Sequence, residues 1–172
     1  MCSAVCLFLF IARCVSVKNY LNNSQFEEDM KNIRDVETHI EFEHQRTILS
    51  GQIDVIIHKD RNIKSIEVRD YKTKYDVVSD DYAKMQLYLY CHGLLSVGEN
   101  VTDASIAYIQ DPDIKKFPVT KDIVDDVLST VGKNIDSVRS GIYNPIPAQD
   151  NCQHCDYKVI CKSCCVERVF EI

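Results

Sequence analysis

Two carboxylates and a lysine stand in this chain at positions where strands could bring them together. Gly51-Gln52-Ile53-Asp54 falls inside one apolar, alternating segment, and Asp70-Tyr71-Lys72 closes the next. Hard divalent ions such as Mg²⁺ bind through one or two carboxylates and keep several waters. An ion held in this way can polarise a phosphoryl oxygen and activate a water, while a neighbouring ammonium offsets charge in the transition state. Side chains alternate across a strand, so Lys72 points the same way as Asp70. The competing reading takes Asp54 as a chance strand carboxylate, with Asp70 and Lys72 marking a polar strand end. Against it stands the cost of half-burying unpaired carboxylates in apolar strands.

Thiols form the second group. Five of the nine cysteines lie between Cys152 and Cys165, a crowding that favours metal ligation over disulfides and points to a reducing, cytoplasmic compartment. Cys152, Cys155 and Cys161 can ligate one metal centre, but a fourth ligand must come from elsewhere. Zn²⁺ completed by Cys164, Cys165 or His154 satisfies the spacing. Cys91 sits within an apolar helix face and reads as core.

The elements that must position these groups follow from periodicity. Ser24 caps a predicted helix with Phe26, Met30, Ile33 and Val36 at helical spacing, ending near Glu37. Strands follow at 38–44 and 47–58, a turn at 59–62, and a strand at 63–72 that sets Ile66, Val68, Asp70 and Lys72 on one side. A helix over 80–96, a strand over 104–110 and a helix capped by Thr120 come next, the last with Ile123, Val127, Val131, Ile135 and Val138 near one stripe. Past Gly141 a Pro-containing loop leads into the cysteines. The expected fold class is α/β (α+β), a mixed central sheet flanked by helices.

Gly51-Gln52-Ile53-Asp54, Asp70-Tyr71-Lys72-Thr73 and Gln86-Leu87-Tyr88-Leu89-Tyr90 resemble, in order and spacing, the G-x-I-D, D-Y-K-T and Q-x-x-x-Y motifs of RecB-like PD-(D/E)XK nucleases. The resemblance implies a restriction-endonuclease-like core. It also implies a Mg²⁺ or Mn²⁺ ion held by Asp54, Asp70 and the Tyr71 carbonyl, with Lys72 assisting the nucleophile or the scissile phosphate. Gln86 and Tyr90, four apart and so on one helix face, would support the site and contact DNA; without the preceding motifs they would read as an ordinary half-buried helix face.

The stretch from Asn151 to Cys161 resembles the C-terminal signature of the iron-sulfur members of that family, the AddB-type and CRISPR-associated exonucleases and nuclease domains fused to UvrD-like helicases. Cys152, Cys155 and Cys161 would then join one N-terminal cysteine around a [4Fe-4S] cluster. Cys2, Cys6 and Cys14 are the candidates, with Cys14 preferred as nearest to the core although it lacks the Pro that usually follows. The family's metal-ligating His upstream of the first strand has no counterpart, since no His precedes His39; His39 and His44 read as surface or edge residues. The resemblance covers roughly residues 37–165.

Composition bounds what is left. The 172 residues suit one ordinary domain, divided as an N-terminal helical segment over 1–36, a nuclease core over 37–140 and a cysteine-rich iron-sulfur segment over 141–172. The apolar opening, Ala4 to Ala12, is too short to span a bilayer and lacks a basic leader, so no membrane partner is expected. Its abruptness suggests a piece of a longer chain or a mis-started copy. With 20 basic against 26 acidic residues and a net charge of -6, the protein is no basic sheath, and DNA contact must be local, metal-bridged or shared. No G-x-x-x-x-G-K-[ST] pattern occurs, so a helicase would be a separate subunit or a fused domain. Two functions stay in view, a DNA nuclease and a non-catalytic DNA-binding scaffold of a helicase-nuclease.

Overall fold

The computed structural model describes residues 29–72, 77–108, 114–142, 145 and 147–166. The chain forms two compact units, residues 1–133 and 134–172. In the first, β1 (Ile33–His44), β2 (Thr47–Asp60), β3 (Ser65–Lys72), β4 (Asn100–Tyr108) and β5 (Ile114–Pro118) build one sheet in sequence order. All neighbours pair antiparallel except β3 and β4, which are parallel and joined through α1 (Val77–Ser96). This is the expected mixed sheet with helices. Turn chemistry sets the early register: Gln45 and Arg46 both take positive φ, the two-residue hairpin geometry that matches strand twist. Asp60 Oδ1 accepts the Asn62 N–H at 2.7 Å and starts the β2–β3 turn.

Helix α1 lies on the sheet with Ala83, Leu87, Tyr90, Cys91 and Leu94 in one core with Ile40, Ile53, Ile56, Ile66, Val68, Ala104 and Ile106. Gly98, with φ 88, ends it: the Gly98 and Glu99 N–H groups return to the Leu95 and Leu94 carbonyls, a Schellman closure that Gly enters without a Cβ penalty. Helix α2 (Lys121–Arg139) begins as expected at Thr120, whose Oγ1 accepts the Ile123 N–H.

Four expectations are corrected. The helix read as ending near Glu37, and with it the helical segment taken to reach residue 36, stops earlier: residues 29–32 are helical and β1 begins at Ile33. Ile33 and Val36 pair with Ile57 and Val55, so cross-strand hydrogen bonding overrides a spacing that also suited a helix. Strand β4 starts at Asn100, four residues before the expected Ala104, because parallel pairing with β3 already begins at Ser65. The sequence reading assigns no element to 114–118, where β5 extends the sheet. On α2 the buried line is Val124, Leu128 and Gly132, one position beyond the expected stripe, and Val138 is exposed. Ser24 and Phe26 lie outside the described residues.

The second unit holds the last turn of α2 and the short helix α3 (Gln149–Gln153). Successive backbone hydrogen bonds, Cys155 to Cys152, Lys158 to Cys155, Cys161 to Tyr157 and Cys164 to Cys161, carry the cysteine segment through consecutive turns. Among the described residues, no helix is long and apolar enough to cross a membrane.

Candidate active site

Asp70, Tyr71 and Lys72 form the C-terminal end of β3, and Asp54 lies on its antiparallel neighbour β2. The register pairs Val55 with Arg69, so one further step sets Asp54 opposite Asp70, where directly opposed side chains share a face. Asp54 is held there by the Tyr71 N–H, which donates to its Oδ2 at 2.8 Å. On its other side Asp54 faces Glu37, whose φ of 49 lies in the left-handed region and interrupts the β1–β2 ladder between the Val36–Val55 and Thr38–Ile53 pairs. Such backbone in a non-Gly residue costs on the order of 1–3 kcal/mol and tends to gather near functional sites. No motif pointed to this kink; a φ value cannot be read from a Glu.

Asp70 is 7% exposed, and its Oδ2 is buried without a hydrogen-bond partner. The Lys72 ammonium lies 2.8 Å from that oxygen, an ion contact whose alignment falls short of a hydrogen bond. Burial pushes the Asp70 carboxyl above the usual carboxylate range and the Asp54 charge adds to the push, while Lys72 acts against it. A buried, under-coordinated anionic oxygen beside a second carboxylate is a donor set that suits a hard divalent ion. Among the described residues, no group of three or more His, Cys, Asp or Glu is placed to hold a metal, so waters and backbone would have to complete the shell. If an ion binds, Asp54 and Asp70 are the side chains able to hold it.

Gln86 and Tyr90, one helical turn apart on α1, are joined by a 2.5 Å hydrogen bond from Gln86 Nε2 to the Tyr90 hydroxyl. Tyr90 in turn lies on bare β2 backbone, since a Cβ at Gly51 would come 2.5 Å from its ring and 2.9 Å from its hydroxyl. The glycine of one motif is therefore required by the tyrosine of another, three residues before Asp54. Thr73 lies outside the described residues.

The opposite face of β3 is also polar. Arg69, 1% exposed, pairs with Asp29, with Glu67 (2.6 Å) and with Ser105 Oγ (2.9 Å), and Ser105 donates to Glu67 at 2.6 Å. Burial alone would raise the Glu67 carboxyl, but Arg69 and Ser105 outweigh it and hold the group below the usual range. Sequence reasoning missed this network, because it singled out only the Ile66, Val68, Asp70 and Lys72 side of that strand. Of the histidines, His39 is exposed on the edge strand β1 and His44 Nε2 donates to the Leu128 carbonyl at 3.1 Å. Cys91 is fully buried and its thiol is pushed up to about 12 by desolvation, as a core thiol should be.

In the second unit, Cys152 is buried, Cys155, Cys161 and Cys164 are half-buried and Cys165 is exposed; none is in a disulfide. Hydrogen bonds from Cys165, backbone first, and from Cys164 hold the Cys152 thiol below its ordinary pKa, yet among the described residues no three of the cysteines are placed to hold a metal ion. Cys2, Cys6 and Cys14 lie outside the described residues.

A mixed sheet backed by a helix thus carries two carboxylates and a lysine close together on adjacent strands. The PD-(D/E)XK nuclease superfamily profile matches residues 14–162, and the chain belongs to that superfamily. A solved structure from Eubacterium rectale named "Putative exonuclease" is similar in fold, with a TM-score of 0.52 and 17% identity over 91% of this chain and 59% of that one. The chain thus spans about three fifths of that protein. Another, the structure of SSO0001, aligns at a TM-score of 0.44 and 17% identity over 75% of this chain and 60% of its own. No curated protein matches the chain.

Proposed function

We propose that the chain is a Mg²⁺- or Mn²⁺-dependent deoxyribonuclease that hydrolyses phosphodiester bonds at DNA ends or in single strands, in repair, recombination or foreign-DNA processing. It would serve as the nuclease part of a helicase-nuclease, as a subunit beside the helicase or fused to it. The observation that carries this reading is the Asp54 carboxylate, held by the Tyr71 N–H at 2.8 Å next to Asp70, with the Lys72 ammonium 2.8 Å from the buried Asp70 oxygen. A bound divalent ion supplies Lewis-acid polarisation of the phosphate and a water of lowered pKa. Asp54 and Asp70 hold that ion with the Tyr71 carbonyl, and the Tyr71 N–H fixes the Asp54 carboxylate. Lys72 balances the charge that builds on the phosphoryl oxygens. Gln86 and Tyr90 brace β2 from the α1 side and contact the DNA strand. The purified protein should shorten end-labelled DNA with Mg²⁺ or Mn²⁺ and leave it intact in EDTA. Binding of DNA with no metal-dependent shortening would replace the nuclease by the scaffold.

We further propose that the cysteine-rich segment 141–172 carries a [4Fe-4S] cluster held by Cys152, Cys155, Cys161 and Cys14, which staples the ends of the domain. What supports a metal centre is the sequence spacing of five thiols, none of them in a disulfide, although no three are placed to hold an ion among the described residues. The alternative is a local Zn²⁺ site completed by Cys164, Cys165 or His154, although among the described residues no three such ligands are placed to hold an ion. Metal analysis of anaerobically purified protein separates the two. The cluster requires brown protein with about four irons, bleached by Cys155→Ser. One zinc and no iron would sink it.

A further inference from the structure

We propose that Tyr82 and the cavity it borders form a stacking subsite for one unpaired nucleobase of the DNA strand held at Asp54 and Asp70; the inference rests on the nuclease reading above. The cavity, about 280 Å³, lies between α1 and the β1–β2 hairpin and is lined by Tyr82, Met85, Gln86, Tyr90, Leu49 and Gly51 among others. Its position ties it to the carboxylates. Gly51 is three residues before Asp54 on β2, about 10 Å of strand. Tyr82 sits in the second turn of the helix that begins five residues after Lys72. Val68, which shares a strand face with Asp70, packs in one core with Leu87 and Tyr90, so α1 and Asp70 are on the same side of the sheet.

The chemistry of the walls selects the occupant. Tyr82 is 54% exposed on a rim it shares with Leu49, Met85 and Leu89, whereas Tyr90, two turns along, is buried. An exposed ring flanked by Met85 and Leu89 gives a planar apolar face for stacking, worth a similar amount for every base. The Gln86 amide spends one of its two N–H groups on Tyr90 and retains the acceptor and donor types that base edges require. At about 280 Å³ the cavity has room for a base and lies just below the usual range of small-molecule pockets. Charge supplies the need: with a net charge of -6 the chain cannot hold a strand by phosphate neutralisation alone, and stacking is the non-ionic contact available. A duplex keeps its bases stacked and paired, so the subsite would confer single-strand preference.

The test is equilibrium binding of the full chain, in EDTA so that no strand is cut, to a labelled single strand, an abasic strand of equal length and a duplex. Tyr82→Ala should weaken the base-bearing single strand by roughly five- to a hundredfold. The same change should leave the abasic strand and the duplex at wild-type affinity, and Tyr82→Phe should retain binding to all three. Thermal melts establish that both variants fold, as an exposed position predicts. Wild-type affinity of Tyr82→Ala for the base-bearing strand, an equal loss on the abasic strand, or no single-strand binding by the wild type would each overturn the subsite. Failure of the nuclease reading looks different, because wild-type protein would then leave DNA intact in Mg²⁺ while the contrast between base-bearing and abasic strands persisted.

Discussion

Asp70→Asn is expected to reduce metal-dependent DNA cleavage by on the order of 10³-fold or more while leaving the protein as stable as the wild type, or more so. Both halves come from one environment. The Asp70 carboxylate is 7% exposed, its Oδ2 lacks a hydrogen-bond partner, and its pKa is raised chiefly by burial. An acid whose folded pKa lies above its unfolded value favours the native state at low pH. That support is lost as pH rises from the unfolded pKa through the folded one, so the ionised form opposes folding near neutrality. A neutral amide of the same shape removes that opposition and also removes the charge that would hold the ion. Lys72→Ala should likewise abolish cutting but leave Asp70 without its compensating ammonium. End-labelled DNA measures activity, and thermal melts measure stability. Undiminished cutting by well-folded Asp70→Asn would move the chemistry elsewhere, and a large loss of stability would make Asp70 a structural carboxylate. Such opposition of stability and activity is common where a site stores buried charge.

Arg69→Met should be the most destabilising single change outside the apolar core, by about 3–5 kcal/mol, or roughly 6–20 °C in Tm for a chain of this size. The guanidinium is 1% exposed and answers Asp29, Glu67 and Ser105. Its loss takes the guanidinium away from two carboxylates at 5% and 1% exposure, of which Glu67 keeps the Ser105 hydroxyl at 2.6 Å and Lys59 at 3.5 Å. Leaving partners uncompensated costs more than the net worth of the pair. Adding Glu67→Leu to Arg69→Met should therefore cost less than the two changes summed. The network also has a pH signature. Glu67 is held below the usual carboxylate range, so its stabilisation is fully present above the unfolded pKa and is lost as pH falls through the folded one. Glu67→Gln should flatten the acid limb of the stability curve. An Arg69→Met melt within 1 °C of wild type, a margin far inside the shift expected for a chain of this size, would mean that waters satisfy this face without it.

The sequence determined the strand pair and its motifs by itself. Alternation over 47–58 and 63–72 fixes two adjacent strands, and a short hairpin between them leaves Asp54 and Asp70 little freedom but to meet. Thr120 as a cap was equally local, because a hydroxyl one residue ahead of a helix finds the same N–H in any fold. Where two periods fitted one stretch, the sequence reading chose the helix and was wrong. Ile33 and Val36 suit a helix or a strand, and only the partner strand β2 decided between them. Strand β5 exists because the edge of β4 offers hydrogen bonds, which no pattern within 114–118 reveals. Glu67 and Arg69 were polar letters on a strand until the fold buried both beside Asp29 and Ser105, which lie 40 and 36 positions from Arg69. The same holds for Gly51, whose need to be glycine is set by the Tyr90 ring 39 residues later. Local periodicity reports which face a residue takes, but what stands across that face is a property of the assembled sheet and helix.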